Sequence, residues 1–195
     1  MLDFIFITGT SGIGKSTLCK NLYARFKTVV IEEHMVPDFT SRDGTEEMTG
    51  ELEELTCWEN TKAMAFCFHK LGYRNIIISD IDDLRTADIP IDFQGYRYLT
   101  LKLVCTDLSQ LHWQMENRPR PGLVDYELQE KLNQKNLNRP ALVNEHTIDI
   151  AGLGETEVME KAMEILSNCE PLIQYEYQKP SKEMFYSWVF AHGLR

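Results

Sequence analysis

An α/β fold built on a mostly parallel sheet is what this sequence predicts, and three observations carry it. Short apolar runs alternate along the chain with longer stretches of helical periodicity. The runs are nearly continuous rather than alternating, as strands buried on both faces require. Polar or glycine-bearing turns stand between them, giving the strand–helix–strand order of a parallel sheet covered by helices on both sides.

Residues 2–8 (LDFIFIT) form the first predicted strand. From Ser16 to Lys27 a helix is expected, with Leu18, Leu22 and Phe26 at four-residue spacing. Residues 28–31 (TVVI) make a second short strand, followed by Glu32, Glu33 and His34, and residues 37–50 read as a polar loop. A long helix follows from Glu51 to Leu71. Leu52, Leu55, Trp58, Met64, Phe66, Phe68 and Leu71 supply its apolar face, and Gly72 supplies its stop. Residues 75–79 (NIIIS) are a buried strand closed by Asp80, and 98–106 another. Asp107 suits a helix N-cap, with Gln110 three residues on as a capping-box partner. That helix ends before Arg118-Pro119-Arg120-Pro121-Gly122, and Asp125 starts the next, to Asn138. Residues 146–150 form a last strand. Residues 155–166 form a last helix, with Val158, Ala162, Ile165 and Leu166 on one face.

The chain of 195 residues is read as a single domain, 1–195, with its core in 1–168 and an extension rich in Tyr, Phe and Trp over 169–195. A formal charge of -10 argues against a broad surface for nucleic acid or an anionic membrane, while a small anionic substrate stays compatible with it. Five cysteines stand singly, at 19, 57, 67, 105 and 169, without a C-x-x-C pair, which fits reduced thiols and argues against structural zinc. The N-terminus lacks a basic start, and no run approaches the ~18 apolar residues of a membrane span. A cytoplasmic location is expected.

The chemistry is concentrated in residues 9–16. Gly9-Thr10-Ser11-Gly12-Ile13-Gly14-Lys15-Ser16 fits G-x-x-x-x-G-K-[ST], a loop whose glycines let the backbone wrap a phosphate chain. Its amides and the N-terminal end of the following helix favour anions. Lys15 is expected on the β- and γ-phosphates of ATP and the Ser16 hydroxyl on Mg²⁺, with Thr17 completing the segment. Ile76-Ile77-Ile78-Ser79-Asp80 places an acid after a strand, where a carboxylate holds Mg²⁺ through water. Asp82 is its understudy, and Asp83 reads as a solvated loop acid. Glu32 and Glu33 end the second strand and face opposite sides. Glu33 is the candidate to accept a substrate proton, and His34 reads as a loop residue. Arg118 and Arg120 form a local basic loop in an acidic chain, suited to a transferring phosphoryl group. Arg85 and Arg97 are weaker candidates for an anionic substrate, and residues 151–154 (AGLG) for an adenine ring.

On these residues the chain resembles the nucleoside/nucleotide-kinase-like branch of P-loop kinases. That branch includes nucleoside monophosphate kinases, deoxynucleoside kinases, shikimate and gluconate kinases and small antibiotic phosphotransferases. GTSGIGKST at 9–17, the acids at 32–33, Asp80, ENRPRPG at 116–122 and the closing strand and helix at 146–166 carry the resemblance. It implies a three-layer α/β/α fold with a five-stranded parallel sheet in the order 2-3-1-4-5, and a LID-like arginine loop. It implies transfer of the γ-phosphate of ATP to a hydroxyl or phosphate of a small acceptor. The D-G-F-P-R of adenylate kinases and the E-R-S of deoxynucleoside kinases are not matched, so the acceptor is not named.

Two rivals are weighed. A GTPase would want D-x-x-G after a strand and N-K-x-D. Asp92-Phe93-Gln94-Gly95 matches the first, and the second is missing. A non-catalytic ATP-binding regulator would use the aromatic extension (Tyr175, Tyr177, Phe185, Tyr186, Trp188, Phe190) as a partner surface. Self-packing of that extension on the core, or a homodimer contact, is the reading preferred here.

Overall fold

The computed structural model describes residues 1–33, 35–37, 39, 50–81, 83–117 and 125–181. Five strands form one sheet: β1 (Phe4–Thr8), β2 (Val30–Glu32), β3 (Ile76–Ser79), β4 (Tyr98–Val104) and β5 (Glu145–Asp149). Every pairing is parallel and the order is β2-β3-β1-β4-β5, as expected.

Strand alternation divides the core into two layers. Ile5, Ile7, Ile77, Leu99, Leu101 and Leu103 point to one face, with Leu18 and Leu22 of α1 (Lys15–Phe26) and Ala162 of α7 (Glu155–Asn168). Phe4, Phe6, Ile76, Ile78 and Tyr98 point to the other, against Trp58 and Ala65 of α2 (Gly50–Lys70) and against Phe93. The interior strands β1, β3 and β4 are buried along their whole length, which explains their largely apolar sequence, with Lys102 of β4 a buried charged exception. Each such aliphatic or aromatic side chain contributes about 1.5–3 kcal/mol on burial.

Of the expected face of α2, Trp58, Met64, Phe66 and Phe68 meet the core, and two leucines do not. Leu55 and Leu71 are exposed, and the buried side is Cys57, Trp58, Thr61 and Ala65. Met64, Phe66 and Phe68 pack half-buried around that side, with the Phe66 ring against Phe4, Phe93 and Tyr96, and the Trp58 indole nitrogen donates to Asp92 at 2.7 Å. Two helical turns escaped the sequence reading: α3 (Asp83–Thr86) and α4 (Ile89–Asp92). Asp92 closes α4 and also receives Lys62 at 3.1 Å, so the D-x-x-G of residues 92–95 is not a strand-end nucleotide motif.

Between β4 and β5 lie α5 (Leu108–Glu116) and α6 (Tyr126–Asn138). Asp107 caps α5 as expected, accepting from the amides of Ser109 and Gln110. Gln110 does not close a capping box. Its side-chain nitrogen donates to the carbonyl of Ile150 at 3.0 Å and its oxygen accepts from the amide of Gly152 at 2.7 Å, so it braces the turn after β5.

The described part of the C-terminal extension packs on the core, in line with the preferred reading. The Gly95 amide donates to Ile173, and the Gln94 side chain to the Tyr175 carbonyl. The Tyr98 hydroxyl donates to that of Tyr175 at 2.9 Å, which donates to the Pro90 carbonyl at 2.7 Å. Burial, with this bond, raises the Tyr98 pKa far above the ordinary phenol value. Tyr177 donates to the Ala87 carbonyl at 3.0 Å, and Lys179 pairs with Asp88. Phe185, Tyr186, Trp188 and Phe190 lie outside the described residues. The described residues include no helix long and apolar enough to cross a membrane. All five cysteines are free, with Cys19, Cys57 and Cys105 buried and Cys67 exposed.

Candidate active site

The carboxyl ends of β1 and β3 lie side by side at the middle of the sheet, the place where ligands bind in such folds. The loop 9–14 leaves β1 there and enters α1. Gly9 (φ +139) must be glycine, because a Cβ would stand 2.7 Å from the Leu103 carbonyl oxygen of the neighbouring strand. Gly14 (φ +101) takes the left-handed turn into α1, so that the helix begins at Lys15.

The Lys15 ammonium lies across the loop, donating to the carbonyls of Gly9 at 2.9 Å and Thr10 at 3.1 Å. It is also 3.6 Å from the Asp80 carboxylate, which is half exposed. Asp80 adopts a left-handed backbone (φ 59) immediately after β3, which Asp tolerates better than most residues. The structure thus joins the loop lysine and the strand-end acid, two residues 65 positions apart in sequence. Ser16 and Thr17 are exposed in the first turn of α1.

Cys19, one turn further along α1, lies below this pair. Burial pushes its thiol up to about 11. A hydrogen bond with Ser79 works against that shift, and Glu32, Lys15 and Asp80 are near enough to act on it. The thiol is neutral at ordinary pH, and these groups mark one electrostatic neighbourhood.

Glu32 and Glu33 separate as strand neighbours should. Glu32 belongs to the surroundings of Cys19, whereas Glu33 is 1% exposed and acts on Cys57 of α2. The Glu33 amide donates to the Ser79 carbonyl at 3.1 Å, which fixes the end of β2 beside the end of β3.

Arg85 follows β3 on α3, at the ligand-bearing edge, and pairs with Asp88 at 3.0 Å. Arg97 precedes β4, at the opposite edge, and pairs with Glu170 at 2.7 Å; its position removes it from the site. Residues 151–154 follow β5 at the ligand edge. Asp149 steadies them by accepting from the Ala151 amide, as does Gln110. Arg118, Arg120, Asp82 and His34 lie outside the described residues, and so does the side chain of Asp83.

One contact had no counterpart in the motif reading. Gln129 of α6 is 1% exposed, and its side-chain oxygen accepts from the Ser11 amide at 3.0 Å and from the Thr10 hydroxyl. The available signal was the spacing of Gln129, Asn133 and Asn136, which puts three amide side chains on one helical face.

The order 2-3-1-4-5, with a G-x-x-x-x-G-K-S loop after the central strand, defines a P-loop kinase-like α/β fold. Solved structures agree. A gluconokinase from Sinorhizobium meliloti 1021 superposes with a TM-score of 0.58 at 16% identity, over 84% of this chain and 90% of that one. Thymidylate kinase from Candida albicans gives 0.58 at 17%, over 89% and 97%. Deoxyadenosine kinase from M. mycoides gives 0.52 at 14%, over 85% and 100%. At such identities the likeness establishes the fold, shared here by kinases of sugars, nucleotides and nucleosides. No protein-family model matches the chain, and no curated protein matches its sequence.

Proposed function

We propose that this chain is a kinase that moves the γ-phosphate of ATP to a hydroxyl or phosphate of a small acceptor. The observation that carries the reading is the Lys15–Asp80 pair at 3.6 Å, set between a glycine loop and the neighbouring strand end. A cation and a carboxylate at that edge are what a phosphate chain and its metal require.

Residues 9–17 would hold the phosphates through loop amides, and Lys15 would turn from the Gly9 and Thr10 carbonyls to phosphate oxygens. Ser16 and Asp80 suit Mg²⁺, which takes one or two protein oxygens and keeps several waters, and both are open to solvent. Bound there, Mg²⁺ would neutralise charge on the separating phosphates. For a hydroxyl acceptor, its oxygen bonds to the γ-phosphorus as the bond to the bridging oxygen of ADP breaks. Glu33, buried near Cys57 of α2, is proposed as the proton acceptor. Arg118 and Arg120, in the stretch joining α5 to α6, are assigned to the equatorial oxygens of the transferring group. Arg85, at the same edge, buried and paired with Asp88, is proposed as a contact for an anionic acceptor.

The reading is tested by screening small hydroxyl- and phosphate-bearing compounds for acceptor-stimulated ADP release, with the phosphorylated product identified. Stimulation by one compound class, abolished by Glu33→Gln for a hydroxyl acceptor, is expected. ATP binding without stimulation by any acceptor would favour the regulator instead.

A further inference from the structure

Helix α6 buries the wrong residues for an ordinary amphipathic helix. Gln129, Asn133 and Asn136 are 1%, 1% and 5% exposed, while Leu128, Leu132 and Leu137 are only half-buried. Burying an amide side chain costs free energy unless its hydrogen bonds are made. Asn133 makes its bonds to the backbone of Cys105, accepting from its amide at 2.9 Å and donating to its carbonyl at 2.6 Å. At Asn136 the backbone carbonyl receives the Lys102 ammonium at 2.9 Å. These two contacts dock the helix on β4. Gln129 does something different, because its partners are the Thr10 hydroxyl and the Ser11 amide, two consecutive residues at the tip of the phosphate loop. On the other side of that loop Gly12 faces Met115 of α5, where an added Cβ would stand 2.7 Å from the Met115 Cγ. The loop is held between the two helices that flank residues 118–124.

We propose that Gln129 is a positioning residue for nucleotide: from α6 it fixes Thr10 and Ser11, so that the loop presents its remaining amides ready-made to the phosphates. Two features support this over simple packing. A leucine would fill the same interior place without an amide to satisfy. The Gln129 oxygen also accepts from one main-chain and one side-chain donor of adjacent residues, so it sets an orientation as well as a distance. A loop ordered before the ligand arrives spares the ligand the cost of ordering it. The proposal rests on residues 9–17 being the ATP site.

The experiment is equilibrium binding of ATP·Mg to the full chain and three variants, each with its thermal midpoint. Gln129→Met keeps length and removes the acceptor, and should weaken ATP·Mg binding about tenfold or more, because the ligand must then order the loop itself. Thr10→Val removes one of the two bonds at constant volume. It should weaken binding severalfold in the parent and by less than about twofold in the Gln129→Met background, since coupled partners are not additive. Asn133→Ala is the control: it loosens α6 and lowers the midpoint, with affinity kept within about twofold. Unchanged affinity in folded Gln129→Met overturns the proposal, and so does an equal loss in Asn133→Ala, which would make helix docking the cause. Should Gln129→Met not fold, unchanged affinity in Thr10→Val overturns it alone. Failure of the parent chain to bind ATP·Mg removes the nucleotide reading and this inference together. Parent binding with indifferent variants removes only the inference.

Discussion

Helices α6 (13 residues) and α7 (14 residues) are nearly equal in length and are attached to the sheet by opposite means. On α7 the contact is apolar: Ala162 is buried, and Val158, Met159, Met163, Ile165 and Leu166 pack around it against the core. On α6 it is polar: Gln129 accepts from Thr10 and Ser11, Asn133 bonds the Cys105 backbone, the Asn136 carbonyl accepts from Lys102, and charge continues the contact at the helix end. There Arg139 forks the Glu145 carboxylate at 2.7 and 2.5 Å, and Lys102 stands 3.8 Å from it. An apolar face is non-directional, and it tolerates a small slide. A hydrogen-bonded face fixes register, because each lost bond leaves a buried group unsatisfied. The helix held by directional bonds is the one that touches the glycine loop.

The comparison breaks first at Glu145. Glu145→Gln keeps the shape and leaves Arg139 and the buried Lys102 without their carboxylate. Burial already pulls the Lys102 pKa below its usual value, with Glu145 opposing that shift. A loss of about 3–5 kcal/mol is expected in chemical denaturation, with hydrogen exchange rising first along the C-terminal half of α6. A loss below about 1 kcal/mol would mean that charge does not hold this end.

A pair of conservative exchanges sharpens the contrast at smaller cost. Asn133→Leu leaves the Cys105 amide and carbonyl unsatisfied and should cost about 1–3 kcal/mol. Leu166→Met on α7 changes shape without stranding a polar group and should cost under about 1.5 kcal/mol. Equal losses in denaturation would erase the distinction between the two faces.

The smallest effect is at the turn that leads to α7, where Asp149 supplies a charge. Burial alone would raise its pKa, but the Thr106 hydroxyl at 2.7 Å, the Ala151 amide and the Thr106 amide hold it below the usual carboxylate value. A carboxylate with a lowered folded pKa stabilises above its unfolded pKa, and that contribution disappears as pH falls through the folded value. The stability gap between the parent and Asp149→Asn should therefore be open near neutral pH and close in acid. A gap independent of pH would leave Asp149 with a neutral hydrogen-bonding role.

How much of this was legible in the sequence follows from the same physics. All five strands were readable, within about two residues at each end, since strands buried on both faces are mostly apolar and turn residues bound them. The glycine loop was readable as a motif because its glycines, Lys15 and Ser16 are neighbours in sequence. The position of Asp80 after β3 needed only a strand followed by an acid, whereas its pairing with Lys15 is a contact across the fold. On α6 the helix was placed and its anchoring was not, because the buried face is Gln129, Asn133 and Asn136, polar residues that apolar periodicity does not single out. Gln110 misled in the same way: its spacing from Asp107 suggested a local cap, and its partners lie 40 residues away. Polar side chains that bond to distant backbone leave no period behind. The short helices α3 and α4 are single turns whose form depends on Asp88, Trp58 and the C-terminal extension.

The central claim is that residues 9–17 bind the phosphates of ATP through Lys15, and equilibrium titration of ATP·Mg into the parent chain and folded Lys15→Ala tests it most directly. The account predicts saturable binding to the parent and at least about a tenfold loss in the variant, or about 1.4 kcal/mol. Equal affinity in the two proteins would contradict it.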